Sequence, residues 1–224
     1  MIIAIDGPAG SGKSTVAKIV AKKLRFRYID TGSMYRSIAW KAMQKKATLG
    51  DENVVSNIAW KTKIELVSGE NGQLVFVDGE NITNQLKTET ISHGAAVVAA
   101  QPIIREIMTA KQRELGKEGN VVMDGRDIGT VVFPQADKKF FLDANPEERG
   151  RRRFAELKKI KQEANADLTT IVEQVIQRDY EDCNRKIAPL KQAKDAILID
   201  TTYLSIDQVV EKIMKTINPD PINS

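Results

Sequence analysis

The stretch GPAGSGKS at residues 7–14 sets glycine, four residues, glycine, lysine and serine in the order of a phosphate-binding loop. Each part has a chemical reason. Gly7, Gly10 and Gly12 permit backbone angles closed to other residues, so the loop Gly7, Pro8, Ala9, Gly10, Ser11, Gly12 can press amides against a phosphate. The helix start at Lys13, Ser14 and Thr15 adds its own N–H groups. The Lys13 ammonium suits the β- and γ-phosphates of a nucleoside triphosphate, and the Ser14 hydroxyl suits Mg²⁺. The competing reading is a glycine-rich turn that caps a helix and leaves Lys13 solvated. An apolar strand before the loop and an amphipathic helix after it weigh against that reading. The loop predicts nucleotide binding but does not name the reaction, because the same loop serves kinases, GTPases and motor ATPases.

Arginines supply the second set of candidates. Arg36 lies in DTGSMYR and Arg126 in DGRDIGTVVFP, each just after a strand-like run. In an open parallel sheet, ligands bind beyond the carboxyl ends of the strands, where paired guanidinium groups fork onto phosphate oxygens. Arg178, Asp182 and Arg185 in QRDYEDCNR are spaced by four and three and are predicted to share one helix face beside Ile171 and Val175. That spacing suits a cleft lining and a solvated ion-pair series equally. Residues 147–163, EERGRRRFAELKKIKQE, carry seven positive and four negative side chains. They read as a solvated helix face or as a mobile flap over transferring phosphoryl groups, with Arg149, Arg151, Arg152 and Arg153 as the candidates. His93 and Cys183 have no recognisable catalytic partner.

These residues need a scaffold. Five apolar runs, IIAID, YID, VVMD, FFLD and ILID, end at Asp6, Asp30, Asp124, Asp143 and Asp200. With helical patterns between them they read as buried parallel strands of an α/β sheet. Val16, Ile19, Val20 and Leu24 fall on one face of the first helix, and SIDQ opens the last helix with a Ser205/Gln208 capping box. Residues 64–83 break the alternation: Asn-Gly and Asp-Gly between short apolar runs predict a small antiparallel meander. The expected organisation is one domain over 1–224, with core segments 1–59, 101–146 and 164–224, an insertion at about 60–100, a lid at about 147–163 and a frayed tail in NPDPINS.

Composition narrows the class. The chain has 224 residues, 42% hydrophobic and 29% charged, and a net charge of +4, which is too small an excess to announce nucleic-acid binding. One cysteine and one histidine leave no disulfide framework and no Cys- or His-rich metal site. The N-terminus lacks the layout of a signal peptide, and the longest apolar run, AAVVAA at 95–100, is too short to cross a bilayer. A cytoplasmic setting is expected.

Taken together, IDGPAGSGKST, DTGSMYR, DGRDIGTVVFP, RDYEDCNR and APL resemble the bacterial cytidylate kinases, over nearly the whole chain. The resemblance implies a P-loop kinase fold with a five-stranded parallel sheet, a monophosphate-binding insertion and an arginine-rich lid. It implies transfer of the γ-phosphoryl group of ATP, with Mg²⁺, to CMP or dCMP, by a monomer that engages neither nucleic acid nor membrane. By position, Thr31, Tyr35 and Arg36 would border the monophosphate, and Arg36 and Arg126 would hold its phosphate. Arg178 and Asp182 would contact the sugar, Arg185 would reach toward the phosphates, and Arg105 and Asp127 would read the base. Base reading has an independent physical sense: a carboxylate accepts from the N4 amino group of cytosine and a guanidinium donates to N3 and O2. Ala96 stands where members of the family often carry a serine, nine residues before the arginine, so selectivity is expected to rest on Asp127 and Arg105 or on water.

The chemistry so implied is in-line phosphoryl transfer, which needs positioning and charge neutralisation more than a base. Lys13, Arg126, Arg185 and Arg152 are the catalytic candidates, and Ser14 with Asp124 the metal pair. The alternatives are a kinase of the same fold with another monophosphate or small-molecule acceptor, and a nucleotide-dependent switch. The switch reading lacks an Asn-Lys-x-Asp signature. A single-strand RNA binder would need aromatics through 147–163, where Phe154 stands alone.

Overall fold

The computed structural model describes residues 1–69, 72–159 and 167–218. Asn71 of the predicted Asn-Gly turn, residues 160–163 of the predicted lid and the tail from 219 onward lie outside the described residues. The strands are β1 (Ile2–Asp6), β2 (Arg27–Asp30), β3 (Ile64–Gly69), β4 (Gly72–Val77), β5 (Glu80–Asn81), β6 (Val121–Gly125), β7 (Lys138–Asp143) and β8 (Ile197–Asp200). The main helices are α1 (Lys13–Leu24), α2 (Thr31–Gln44), α3 (Glu52–Lys61), α4 (Glu89–Ala99), α5 (Pro102–Gly116), α6 (Pro146–Lys159), α7 (Leu168–Asn184) and α8 (Ile206–Ile217). The chain divides into two compact units, Met1–Phe26 with Val122–Ser224, and Arg27–Val121.

All five Asp-terminated runs are strands of one sheet, in the order β2-β6-β1-β7-β8. β7 pairs in parallel with both β1 and β8. From β1 the chain goes to the edge strand β2, returns to β6 beside β1 and then continues to β7 and β8 on the other side, so the loop after β1 leaves the sheet at its topological switch point. That is the position at which open α/β sheets take ligands. In the first unit Ile3, Ala4, Ile5, Val122, Met123, Phe140 and Leu142 are fully buried, which explains their unbroken apolar runs. β8 departs from that expectation. It is an edge strand with Ile199 buried and Ile197 and Leu198, which point to opposite faces, exposed. α1 buries Val16, Ala17, Val20 and Ala21. α8 opens with the expected reciprocal cap: Gln208 N donates to Ser205 Oγ at 3.3 Å and Ser205 N to Gln208 Oε1 at 2.8 Å.

The arginine-rich stretch is helical through Lys159 as α6, which packs on α7. Gly150 makes that contact close. A Cβ built there would sit 2.4 Å from Val172 Cγ2 and 3.2 Å from the Val172 backbone. Below β7, the buried Lys139 ammonium donates to Pro134 O at 2.6 Å and to both Asp195 oxygens.

In the second unit the predicted meander forms, with β3, β4 and β5 antiparallel in that order and Ile64 opposite Val77. The Asp-Gly turn sits between β4 and β5, with φ of 51° at Asp78 and 87° at Gly79, as a tight hairpin requires. Lys41 bonds the Asp78 carboxylate at 2.9 Å and holds it below its ordinary pKa. Trp40 from α2 joins Val75, Val77, Ile82, Leu86 and Ile91 in a core beneath the meander. Gln73 ties β4 to β2 by imitating a peptide, accepting from Asp30 N at 3.2 Å and donating to Tyr28 O at 2.5 Å.

The α6–α7 contact yields a test. Gly150→Ala is expected to cost about 1–3 kcal/mol of stability, the usual penalty of overpacking. The reading is a lower urea midpoint at unchanged slope.

Candidate active site

The loop after β1 meets a backbone constraint at its first residue. A Cβ on Gly7 would lie 2.0 Å from the Leu142 carbonyl oxygen of β7, and φ there is +151°. The loop carbonyls then face outward onto donors from α6 and from the segment after β8. Ala9 O accepts from Arg149 at 3.2 Å, Gly10 O from Arg152 at 3.5 Å and Ser11 O from the Thr201 hydroxyl at 3.1 Å. Carbonyl and N–H point oppositely across a peptide, so the amides are left for the concave side, where an anion fits. Lys13 is buried and donates to Pro8 O at 2.9 Å. Burial lowers its pKa to about 7, Arg126 and Arg178 push the same way, and Asp124 and Asp182 oppose them.

The sequence candidates of this unit gather as expected. The Ser14 hydroxyl, in the first turn of α1, donates to Asp124 Oδ2 near the end of β6 at 2.7 Å. Arg126, just beyond β6, donates through Nε to Asp182 Oδ2 on α7 at 2.8 Å. Burial alone would lower the Arg126 pKa, but Asp182 outweighs it and the net shift is upward. Burial would likewise raise Asp182, and the Arg126, Arg178 and Arg185 charges bring it down on balance. Arg185 departs from the expected helix face: α7 ends at Asn184 and Arg185 is its C-cap, with extended backbone. Its guanidinium still turns into the cluster, 3.5 Å from Asp182 and 3.7 Å from Asp127, while Nε donates to Ala188 O at 2.6 Å.

The four flap arginines divide by environment. Arg149 is buried, and its guanidinium forks onto both oxygens of Asp179 while Nε donates to Ala144 O. Arg152 donates to Glu148, to the Thr201 hydroxyl and to Thr201 O. Arg151 and Arg153 make more exposed ion pairs with Glu148 and Glu156. Asp179 and Thr201 were not among the sequence candidates. Asp179 sits three residues before Asp182 and one after Arg178, so the charge spacing of α7 carried a signal. Thr201, after a strand of polar-flanked ILID, carried none.

Asp6 was legible only as the end of a strand. It is buried, and it accepts from Ile128 N at 2.8 Å and Gly129 N at 2.7 Å. Burial raises its pKa to about 7 against the pull of those two amides. The amides belong to a π-helical turn, Ile128–Val132, in which Val132 N bonds Asp127 O and Phe133 N bonds Ile128 O.

In the second unit, Asp30 ends β2 and caps α2. Its carboxylate accepts from Ser33 N at 2.9 Å and from Arg36 at 2.8 Å, and Arg36 also donates to Ser33 Oγ at 2.8 Å. Thr31 and Tyr35 are buried on the same helix. Arg105 of α5 is buried, donates to Ala99 O at 3.2 Å and lies 5.5 Å from the Tyr35 ring centre. Asp30 and Tyr35 thus position the two arginines that the sequence singled out here.

Among the described residues, no cluster of three or more His, Cys, Asp or Glu side chains forms a metal cage, and no helix is long and apolar enough to cross a membrane. The Arg149–Asp179 fork supplies a test of the loop scaffold. Asp179→Asn leaves a buried guanidinium short of a charged partner while keeping one acceptor oxygen, and about 3 kcal/mol of stability, the low end for a broken buried pair, is expected to go. Equilibrium denaturation measures it.

The cytidylate kinase family model matches residues 3–219. Cytidylate kinase of Geobacillus sp. (strain WCH70) is 52% identical over 216 residues, 96% of each chain. Cytidylate kinase of Bacillus subtilis (strain 168) is 46% identical over 215 residues, 96% of this chain and 95% of that one. The crystal structure of shikimate kinase from Bacteroides thetaiotaomicron aligns over 97% of this chain and 98% of its own with a TM-score of 0.51 at 16% identity, a likeness of fold. The chain belongs to the cytidylate kinase family.

Proposed function

We propose that this protein transfers the γ-phosphoryl group of ATP to CMP or dCMP, giving CDP or dCDP and ADP. The observation that carries the proposal is the cluster of Lys13, Arg126, Arg178 and Arg185, drawn largely out of water, in a chain of the cytidylate kinase family. Such a concentration of cation in a low-dielectric setting serves a ligand that brings several negative charges. The loop amides and Lys13 hold the β- and γ-phosphates of ATP, and a phosphate beside Lys13 favours its protonated form. The Ser14 hydroxyl and Asp124 carboxylate suit Mg²⁺, which takes few protein oxygens and keeps water and phosphate as its other ligands. Bound there, it would neutralise charge on the β- and γ-phosphates.

Arg126 and Arg36 are assigned to the acceptor phosphate, Arg178 and Asp182 to the sugar, and Asp127 and Arg105 to the base. Each assigned arginine whose bonds are described above already has a carbonyl or carboxylate partner, so phosphate binding is an exchange of partners rather than a capture by bare cations. Arg152 and Arg185 are the candidates for steadying the equatorial oxygens as charge shifts. The acceptor is an anionic oxygen, so no general base is needed. We further infer a cytoplasmic monomer that acts on free nucleotides, and a net charge of only +4 speaks against nucleic acid as its substrate.

An acceptor panel with ATP tests the assignment: CMP, dCMP, UMP, AMP and shikimate. CMP and dCMP are expected to turn over, and UMP to be disfavoured by up to ~10⁴-fold in kcat/KM, because uracil sets O4 against the Asp127 carboxylate. Equal turnover of UMP and CMP contradicts the base assignment. Lys13→Ala is expected to lower kcat by at least ~100-fold while circular dichroism stays that of the folded protein. Near-normal turnover in that variant overturns the phosphate-loop role.

A further inference from the structure

Asp127 stands at the N-terminus of the π-helical turn Ile128–Val132, the place where an aspartate ordinarily bends back to bond the first helical amides. Here it makes no such capping bond. The amide it would have taken, that of Gly129 one residue into the turn, is occupied by Asp6 at 2.7 Å, and the other Asp6 oxygen accepts from Ile128 N at 2.8 Å. Asp6 is 122 residues away in sequence and is the last residue of β1, immediately before the phosphate loop. The carboxylate of Asp127 instead lies 3.7 Å from Arg185. Gly129 permits the close approach, since a Cβ there would come within 3.1 Å of the Lys139 stem and 3.4 Å of Asp6 Oδ2.

We propose that Asp6 is a positioning residue for the acceptor site: by capping the Ile128–Val132 turn in place of Asp127, it leaves the Asp127 carboxylate to the acceptor nucleotide. The proposal rests on the assignment of Asp127 to the acceptor. Were Asp6 unable to accept both amides, Asp127 would swing onto the vacated Gly129 N–H of its own turn and leave Arg185. The same link joins the loop that holds the donor to the turn that carries Arg126 and Asp127, so one buried carboxylate sets both.

The charge state of Asp6 gives a second handle. Its burial raises the pKa to about 7, the neighbouring Asp127 charge pushes it further up, and Lys13 pulls it down. The Lys139 stem also lies along Gly129, with its ammonium spent on Asp195 and Pro134 O. As pH falls through about 7, Asp6 takes a proton and one oxygen ceases to accept. Acceptor binding in the wild type should therefore weaken on acidification, beyond the change due to ionisation of CMP itself.

Four proteins test this: wild type, Asp6→Asn, Asp127→Asn and the double variant, each assayed with ATP and CMP. Asp6→Asn keeps the shape but offers one acceptor oxygen in place of two. It is expected to raise KM for CMP about tenfold and leave KM for ATP within about twofold. On the Asp127→Asn background the same change should add less than about twofold, because the effect runs through Asp127. The wild-type rise in KM for CMP between pH 8 and 6 should exceed that of Asp6→Asn. An Asp6→Asn protein with KM for CMP unchanged, or raised equally with and without Asp127, overturns the proposal. An unchanged KM for CMP in Asp127→Asn overturns the base assignment itself, a separate failure. Should Asp6→Asn not fold, the wild-type amide resonances of Ile128 and Gly129 decide. If both amides follow the titration of the Asp6 carboxylate, at whatever pH it falls, the bond to Asp6 is supported, and a titration of Asp6 that neither amide follows overturns it.

Discussion

Drawing like charges together out of water is the constraint on which the first unit rests. Arg126 and Arg178 make it harder for Lys13 to keep its proton, and Arg126, Arg178 and Arg185 all act on Asp182. The fold answers with carboxylates. Asp182 receives Arg126, Asp127 and Asp182 face Arg185, and Asp124 receives the Ser14 hydroxyl near Lys13. Even so, burial leaves Lys13 with a pKa of about 7, far under its ordinary value. On the proposed assignment, a phosphate group entering such a site would relieve a cost that folding has already met.

The second constraint is steric and works on the loop. Gly7 runs so close to the Leu142 carbonyl that no Cβ fits between them, and a Cβ built on Gly10 would lie 3.0 Å from the Cβ and carbonyl oxygen of Arg149. These contacts leave one path for the loop. Arg149, Arg152 and Thr201 then take its carbonyls from outside, so the orientation of the amides is decided by α6 and the segment after β8 rather than by the loop's own residues. The arginine-rich helix therefore acts on the loop directly: two of its four arginines buttress it, while Arg151 and Arg153 make their ion pairs at the surface.

Much of the fold was legible because its signals are local. The five Asp-terminated runs are strands, since burial on both faces demands unbroken apolar sequence, and ILID misled only in the degree of burial expected of an edge strand. The Ser205/Gln208 cap and the Asp78–Gly79 turn are set within four residues. The candidate site was legible to the same extent. Lys13, Ser14, Asp124, Arg126, Asp182 and Arg185 were named from spacing and strand ends, and in the first unit the structure brings them together. Arg185 was placed one residue too far into a helix, because spacing alone does not show where α7 stops. Asp6, Asp179 and Thr201 were not recognised, for each acts on a partner tens to hundreds of residues away.

By itself the sequence determined which atoms are available: a glycine loop ahead of a lysine and a serine, carboxylates at strand ends, arginines at set intervals, and a meander with its turn. Those features rest on covalent order and short-range sterics, which a single chain segment carries whole. The tertiary structure alone decided the pairing. It chose Asp6 over Asp127 as the cap of the Ile128–Val132 turn, Asp179 as the partner of Arg149, and Arg149 and Arg152 over Arg151 and Arg153 as neighbours of the loop. Such choices depend on which buried donor finds an acceptor when distant segments close together, and that free energy exists only once water has been driven out from between them.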